Sequence, residues 1–388
     1  MIFRGYTYRL YPTDEQAEQM LRISSVCRAI WNAALEQRIC HWRNYQAQTG
    51  DNLNFVTQCR ELTELRKELD WVRAVSQTAQ QRTLKDLDTA FRRYFAGQGG
   101  FPKWKAKGKH EAFSHVGREV QVEKINKRWS RVKLPKLGWI KFRRHRDLRG
   151  TIAEAAVVLT PLGWQIGFGC KVDAEIADNG LAVAIDRGVA VPLMLSDGTS
   201  YALPPNIETI QKRYRRACKA FSRKRRGSKR HAKARRRVAA LKSRQARARK
   251  HWAHEATTDI SRRYGTVVVE RLRTKNMTAK ARLVGVAQKR GLNRSILNVG
   301  WHQTETMLAY KCARVIKVDP AYSSQTCSSC GAVDRRSREN QSRFVCTACG
   351  HRDNADRNAA VVILNRGNTP GAEIGRRAVD EARTSQVA

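Results

Sequence analysis

Long apolar runs are absent. No stretch approaches the roughly 18 consecutive apolar residues of a membrane-spanning helix, so the chain is not expected to cross a bilayer. The opening residues, Met1-Ile2-Phe3-Arg4-Gly5-Tyr6, lack the apolar core and small-residue cleavage site of a secretory leader. Acidic residues are scarce: 34 Asp and Glu stand against 75 Lys and Arg, for a net charge of +41 at pH 7. Internal repeats with a period of about 20 to 50 residues are not visible, which sets aside a repeat architecture. A disulfide framework is not expected either. Of ten cysteines, six (Cys27, Cys40, Cys59, Cys170, Cys218 and Cys312) are scattered singly, as small buried hydrophobes are in an intracellular chain.

What is present is a globular composition, 41% apolar over 388 residues, enough for two or three domains. So large a positive excess self-repels unless a polyanion neutralises it. Nucleic acid held through its phosphates is the expected partner, with a steep dependence on salt. A membrane surface is the weaker alternative.

Along the chain, Tyr6–Leu10 reads as a strand, and Pro12-Thr13 opens a helix with Asp14 and Glu15 in its first turn. Helical periodicity continues to Phe95, and residues 97–100 break it. Phe101-Pro102-Lys103-Trp104-Lys105 interleaves aromatics with cations, either as a nucleic-acid contact or as a solvated face with core aromatics. Short alternating runs to Val172 suggest a small β-barrel or sandwich into which the first strand pairs back. Leu181–Ile185 and Thr266–Val269 read as buried strands, each ending on a carboxylate, and Asp197-Gly198 as a hairpin turn. Residues 211–250 hold 20 Lys and Arg and no acid, which predicts basic helices turning near Gly227-Ser228 against phosphates. A helix is expected over 295–313, a strand over 315–318 and a helix over 358–364.

Two constellations carry chemistry. Cys327, Cys330, Cys346 and Cys349 form a C-x2-C-x15-C-x2-C array, the spacing of a four-thiolate zinc site. Asp186 and Glu270 close strands, and Asp356 opens a helix. Three carboxylates converging from separate elements can hold two Mg2+ ions about 4 Å apart, one activating water and the other stabilising the leaving 3′-oxygen of a phosphodiester. Hard carboxylate oxygens suit Mg2+ and thiolates suit zinc, so the two sites sort by ligand.

These residues resemble the TnpB (OrfB-type) family of bacterial insertion sequences, compact relatives of type V CRISPR nucleases. The resemblance rests on Tyr8-Arg9-Leu10-Tyr11-Pro12-Thr13, on Ala90-Phe91 with Phe101–Lys105, and on Ala184-Ile185-Asp186-Arg187-Gly188-Val189 and Val267–Glu270. Its C-terminal part is the most specific: Tyr322–Gly331, Cys346–Gly350 and Asp356-Arg357-Asn358-Ala359-Ala360. It spans about residues 1–365. Ala184 and Val362 stand where the family usually has Gly and Asn, and Asp353 rivals Asp356 as third ligand, the D-x-N-A-A spacing favouring Asp356.

The resemblance implies a multidomain α+β chain. Residues 1–12 and 99–178 would form a β-barrel (wedge) domain, with a helical recognition lobe inserted at 13–98. A RuvC-like nuclease domain of RNase H fold would follow at 179–320 and 352–366, with basic helices at 208–262, a zinc ribbon at 321–351 and a disordered tail at 367–388. It implies an RNA-guided DNA endonuclease of the bacterial cytoplasm, a monomeric ribonucleoprotein with guide RNA from its own element and double-stranded target DNA. Asp186, Glu270 and Asp356 would hold Mg2+, and the four cysteines structural Zn2+. Gln77, Gln80, Gln81 and Lys85 would contact the motif flanking the target, and Lys103, Trp104, Lys105, Arg213, Arg216, Arg223 and Arg225 other nucleic acid. The alternatives are a nuclease-silent guided repressor and a DNA transposase, although a DDE transposase would end its triad on Glu.

Overall fold

The computed structural model describes residues 2–45, 50, 53–109, 111–173, 176, 178–279, 285–340, 342–369 and 373–375. The chain divides near residue 174 into two units.

Alternation with a period of two builds the sheet of the first unit. Its strands are β1 (Ile2–Tyr11), β2 (Ala112–Val116), β3 (Gln121–Lys124), β4 (Trp129–Leu134), β5 (Gly138–Arg143), β6 (Thr151–Thr160) and β7 (Gly163–Val172). On β1, Tyr6, Tyr8 and Leu10 are buried while their neighbours are exposed; on β7, Trp164, Ile166, Phe168, Cys170 and Val172 are buried. The strand order is β2-β6-β7-β1-β5-β4-β3. β1 pairs antiparallel with β7 from Ile2↔Val172 to Arg9↔Gln165, then with β5 at Leu10↔Phe142, so the first strand does return to the later ones. Among the described residues no ladder joins β2 to β3, so the sheet stays open where a barrel would close.

Between β1 and β2 lie the helices α1 (Asp14–Asn44), α2 (Phe55–Glu68) and α3 (Gln77–Phe95). The expected start at Thr13 is a full capping box with Gln16. The Gln16 amide also donates to the carbonyls of Leu137 and Trp139, tying the helix start to the sheet. Helices and sheet share one core: Met20, Ile23 and Leu87 cluster with Tyr8, Phe142 and Phe168. The helical segment is therefore no separate folding unit.

The second unit is built on buried parallel strands. β8 (Ala182–Asp186), β11 (Thr266–Glu270) and β12 (Arg314–Val318) are mutually parallel; β9 (Leu193–Leu195) and β10 (Ser200–Tyr201) add antiparallel beside β8, turning at Gly198 as expected. Ala184 and Val268 face Ile363 on one side, while Val183, Ile185, Val267 and Val269 face Trp252, Ile260 and Met307 on the other. Burial on both faces explains the unbroken apolar runs. The covering helices are α4 (Pro205–Ser222), α5 (Lys229–Arg263), α6 (Val286–Val299), α7 (Trp301–Lys311) and α8 (Ala355–Gly367). The single helix expected over 295–313 is two, broken at Gly300, whose φ of 73° a side chain would resist. β13 (Arg343–Val345) and β14 (Arg352–Asn354) form a separate two-stranded ribbon. Of the tail expected to be disordered, β15 (Glu373–Gly375) pairs antiparallel with β12, while 370–372 and 376–388 lie outside the described residues. No helix among the described residues is long and apolar enough to cross a membrane.

Candidate active site

Parallel pairing brings the first two carboxylates together. β8 and β11 run side by side with Val269 opposite Ile185, so Asp186 and Glu270 end their strands at the same carboxyl edge. That edge is where parallel sheets gather ligands. The third carboxylate arrives on α8, whose Ile363 packs on Ala184 and Val268. Asn354 caps α8 by accepting from the backbone N–H groups of Asp356 and Arg357, which sets Asp356 in its first turn.

The three carboxylates share one field. Burial, followed by the charges of Glu270 and Asp356, pushes the Asp186 carboxyl up to about 7. Burial also raises Glu270, against a hydrogen bond from Ser323 and the charges of Arg187 and Arg366. Asp353 is not among the largest influences on Asp186. It sits on β14 paired with Phe344, and its carboxylate accepts from Arg357. Of the two rivals, Asp356 is the one facing Asp186 electrostatically.

Side chains that sequence reasoning passed over hold this arrangement. Arg187 is buried; it donates to the Glu270 carbonyl and, at 2.7 Å, to Glu305, which Lys317 also pairs at 2.7 Å. The Ser323 hydroxyl donates to Glu270 Oε1 at 2.6 Å, and Arg338 Nη2 to Asp356 Oδ1 at 3.0 Å. Arg187 and Ser323 lie inside quoted motifs, but nothing local announces their partners.

Among the described residues, only the four cysteines bring three or more candidate ligand atoms within 4.8 Å of one another. The two Cys-x-x-Cys knuckles have the same geometry. Gly331 and Gly350, at φ of 77° and 72°, turn each chain back so that their N–H groups reach the carbonyls of Cys327 and Cys346. Four sulfurs about 2.3 Å from a central zinc stand about 3.8 Å apart. Cys327 and Cys349 are 3.7 Å apart, and Cys330 and Cys346 3.6 Å. The backbone N–H of Cys349 donates to Cys346 and draws that thiol down to about 6, favouring the thiolate a metal needs. The donor set fits zinc. Asn358, fully buried, joins this ribbon to α8: it donates to the Thr326 carbonyl at 2.8 Å and accepts from the Ser328 N–H at 2.9 Å.

The basic run forms α4 and α5, separated by a turn at Gly227 and a Ser228 cap as expected. Arg213, Arg216, Arg223 and Arg225 are all exposed. On α3, Gln77 and Lys85 are exposed and Gln81 half-buried, but Gln80 is fully buried. The Gln80 amide donates to the Val72 carbonyl and accepts from Arg66, so it braces the helices and does not face a partner. Lys103 and Trp104 are exposed, while Lys105 is half-buried with its ammonium 3.7 Å from the centre of the Trp31 ring.

Comparison with known proteins agrees with this geometry. Family models match residues 1–47 ("Helix-turn-helix domain"), 168–281 ("Probable transposase") and 301–363 ("Cas12f1-like, TNB domain"). The first name does not describe the structure, where that segment is β1 and the single 31-residue helix α1. An Escherichia coli K12 relative, "Putative RNA-guided DNA endonuclease InsQ", is 31% identical over 382 residues, 94% of this chain and 92% of its own. A Streptomyces pristinaespiralis relative, "Putative RNA-guided DNA endonuclease", is 29% identical over 384 residues, 94% and 89% of the two chains. A solved Cas12f1-sgRNA-target DNA complex shares the fold, with a TM-score of 0.58 at 15% identity over 93% of this chain and 84% of that one. With identity running nearly end to end, the chain belongs to the TnpB (OrfB-type) family of insertion-sequence proteins.

Proposed function

We propose that the chain is an RNA-guided DNA endonuclease whose Asp186, Glu270 and Asp356 hold Mg2+. The observation that carries this reading is that Asp356 on α8 acts on the two strand-end carboxylates: burial, followed by the charges of Glu270 and Asp356, raises Asp186 to about 7. Oxygen donors held against their mutual repulsion fit a hard divalent cation, which would relieve it. A pair of such ions supplies an activated water and neutralises the leaving 3′-oxygen.

The protein's own groups set the geometry. Arg187 clamps the Glu270 backbone and Ser323 orients its carboxylate. Arg338 balances the charge of Asp356. The exposed arginines of α4 and the turn after it would grip phosphates of RNA or heteroduplex, whose base pairing reads the target. Gln77, Gln81 and Lys85 would meet the flanking motif. In this reading the second unit is a RuvC-like domain of RNase H fold, with a structural zinc ribbon inserted between its second and third carboxylates. The first unit would be the wedge with its recognition helices.

The test is purified protein with co-expressed RNA from the element's end, matching double-stranded DNA and Mg2+. Cleavage that disappears in Asp186→Ala, with target binding retained, is expected. Target binding without any cutting would mean a guided repressor, and strand transfer without bound RNA a transposase.

A further inference from the structure

The end of α3 and the segment after it leave a group of aromatic rings open to solvent. Phe95 is 75% exposed and Trp104 54%, with Tyr94 and Phe101 also exposed. Tyr94, Phe95 and Phe101 are organised against one another. Phe95 stacks on the buried Phe91 with centroids 6.2 Å apart, and Tyr94 meets Phe101 edge-on at 5.3 Å. Phe101 also meets Phe91 edge-on at 5.6 Å, so Phe95 and Phe101 share a buried anchor.

The backbone carrying Trp104 is pinned on both sides. Trp31 Nε1 donates to the Lys103 carbonyl at 3.0 Å; the Asn32 side chain accepts from the Lys105 N–H at 2.9 Å and donates to the Lys105 carbonyl at 3.1 Å. A hydrophobic surface held rigid yet left open marks an interaction site. Its charge says with what. Residues 89–110 contain six Lys and Arg and no Asp or Glu. Aromatic faces set among cations suit nucleobases joined by phosphates. They suit unpaired bases, since a duplex keeps its base faces stacked inside, whereas unpaired RNA offers them to aromatic side chains.

We propose that Tyr94, Phe95, Phe101 and Trp104 form a stacking platform for unpaired bases of the guide RNA. The inference rests on the RNA-guided reading and adds to it a defined surface and its ligand chemistry. Guide RNA is chosen over target DNA because it is the partner present before any target is unwound. The neighbouring cations hold phosphates, and the rings hold bases.

The test uses full-length protein and RNA from the element's end, with affinity measured across a salt series. Phe95→Ala combined with Trp104→Ala is expected to weaken RNA binding by roughly 25-fold or more, because each of the two base–aromatic stacks is worth about 5-fold or more. The slope of log affinity against log salt should not change, since every cation that meets a phosphate is still in place, whereas Lys103→Gln should lower it. Phe95→Trp should keep full affinity and Phe95→Leu should not, separating stacking from simple burial. Truncating Phe95 removes its stack on Phe91 but leaves Phe91 itself in the core, and unchanged melting of the variants checks that the fold is kept. Unchanged RNA affinity in the double variant overturns the platform while leaving RNA guidance standing. If the double variant instead converts a dimer to a monomer at unchanged RNA affinity, the rings serve a second copy of the chain. If the unaltered protein binds no RNA, the RNA-guided reading falls and the platform with it.

Discussion

Replacing Asp186 with Asn tests the cost of burying its charge beside Glu270 and Asp356 without measuring cleavage. In the folded chain Asp186 is raised from an ordinary 3.8 to about 7, so it keeps a proton that the unfolded chain gives up. Stability linked to that proton is fully present below about pH 4 and is lost as the pH rises through 7. Asparagine has nearly the same shape and no charge at any of these pH values. Metal-free Asp186→Asn should therefore be more stable than the parent at pH 8. At about 1.36 kcal/mol per pH unit, the rise from 3.8 to about 7 sets an upper limit of about 4 kcal/mol. For a unit of about 200 residues that corresponds to an increase in Tm on the order of 10 °C. By pH 5.5 the parent has regained about half of its linked stability, and the gap should shrink to about 2 kcal/mol.

The assay is thermal unfolding of both proteins at pH 5.5 and 8 in magnesium-free buffer. Magnesium is omitted rather than chelated, because a chelator would also draw zinc from the cysteine ribbon. Adding millimolar Mg2+ at pH 8 should raise the parent toward the variant and leave the variant where it was. Equal melting temperatures at pH 8, or a gap of the same size at both pH values, would refute the idea that the buried charge of Asp186, beside Glu270 and Asp356, destabilises the metal-free fold.

Cys346→Ser should remove zinc from the purified protein, read as metal content near zero against one per chain, and loosen the ribbon to proteolysis without lowering the melting of the sheet. Asn358→Ala strips a buried bridge of two hydrogen bonds, leaving the Ser328 N–H and the Thr326 carbonyl without it, at a cost of about 2–3 kcal/mol. The expected sign is faster zinc transfer to a chromogenic chelator; unchanged transfer would mean that the ribbon holds itself without α8. Changing Arg213, Arg216, Arg223 and Arg225 to Gln should weaken nucleic-acid binding and flatten its salt dependence, by up to about one in the logarithmic slope for each phosphate that no longer meets a cation. An unchanged slope would remove that surface from the binding path.

What could be read from the sequence was written locally. The C-x2-C pairs, the Thr13 cap, the turn at Gly227-Ser228 and the apolar runs ending on Asp186 and Glu270 are each set by a handful of adjacent residues. The burial of Gln80 does have a local signal. Gln80, Leu84, Leu87 and Phe91 follow helical spacing, and the last three are apolar, so Gln80 lies on the stripe that turns inward. Arg187, Ser323 and Arg338 gave no such signal. Their partners lie 83, 53 and 18 residues away and are met only after the sheet forms.

Asn358 stands between these cases. Two residues apart on a helix place side chains about 200° around its axis. From the first turn of α8, Asp356 can therefore point toward Asp186 while Asn358 points back to the knuckle that begins at Cys327. The spacing D-x-N is thus a two-sided fastening. It gives the zinc-binding segment a direct mechanical hold on the third carboxylate, and it makes the intervening residue, the exposed Arg357, the freer of the three to vary.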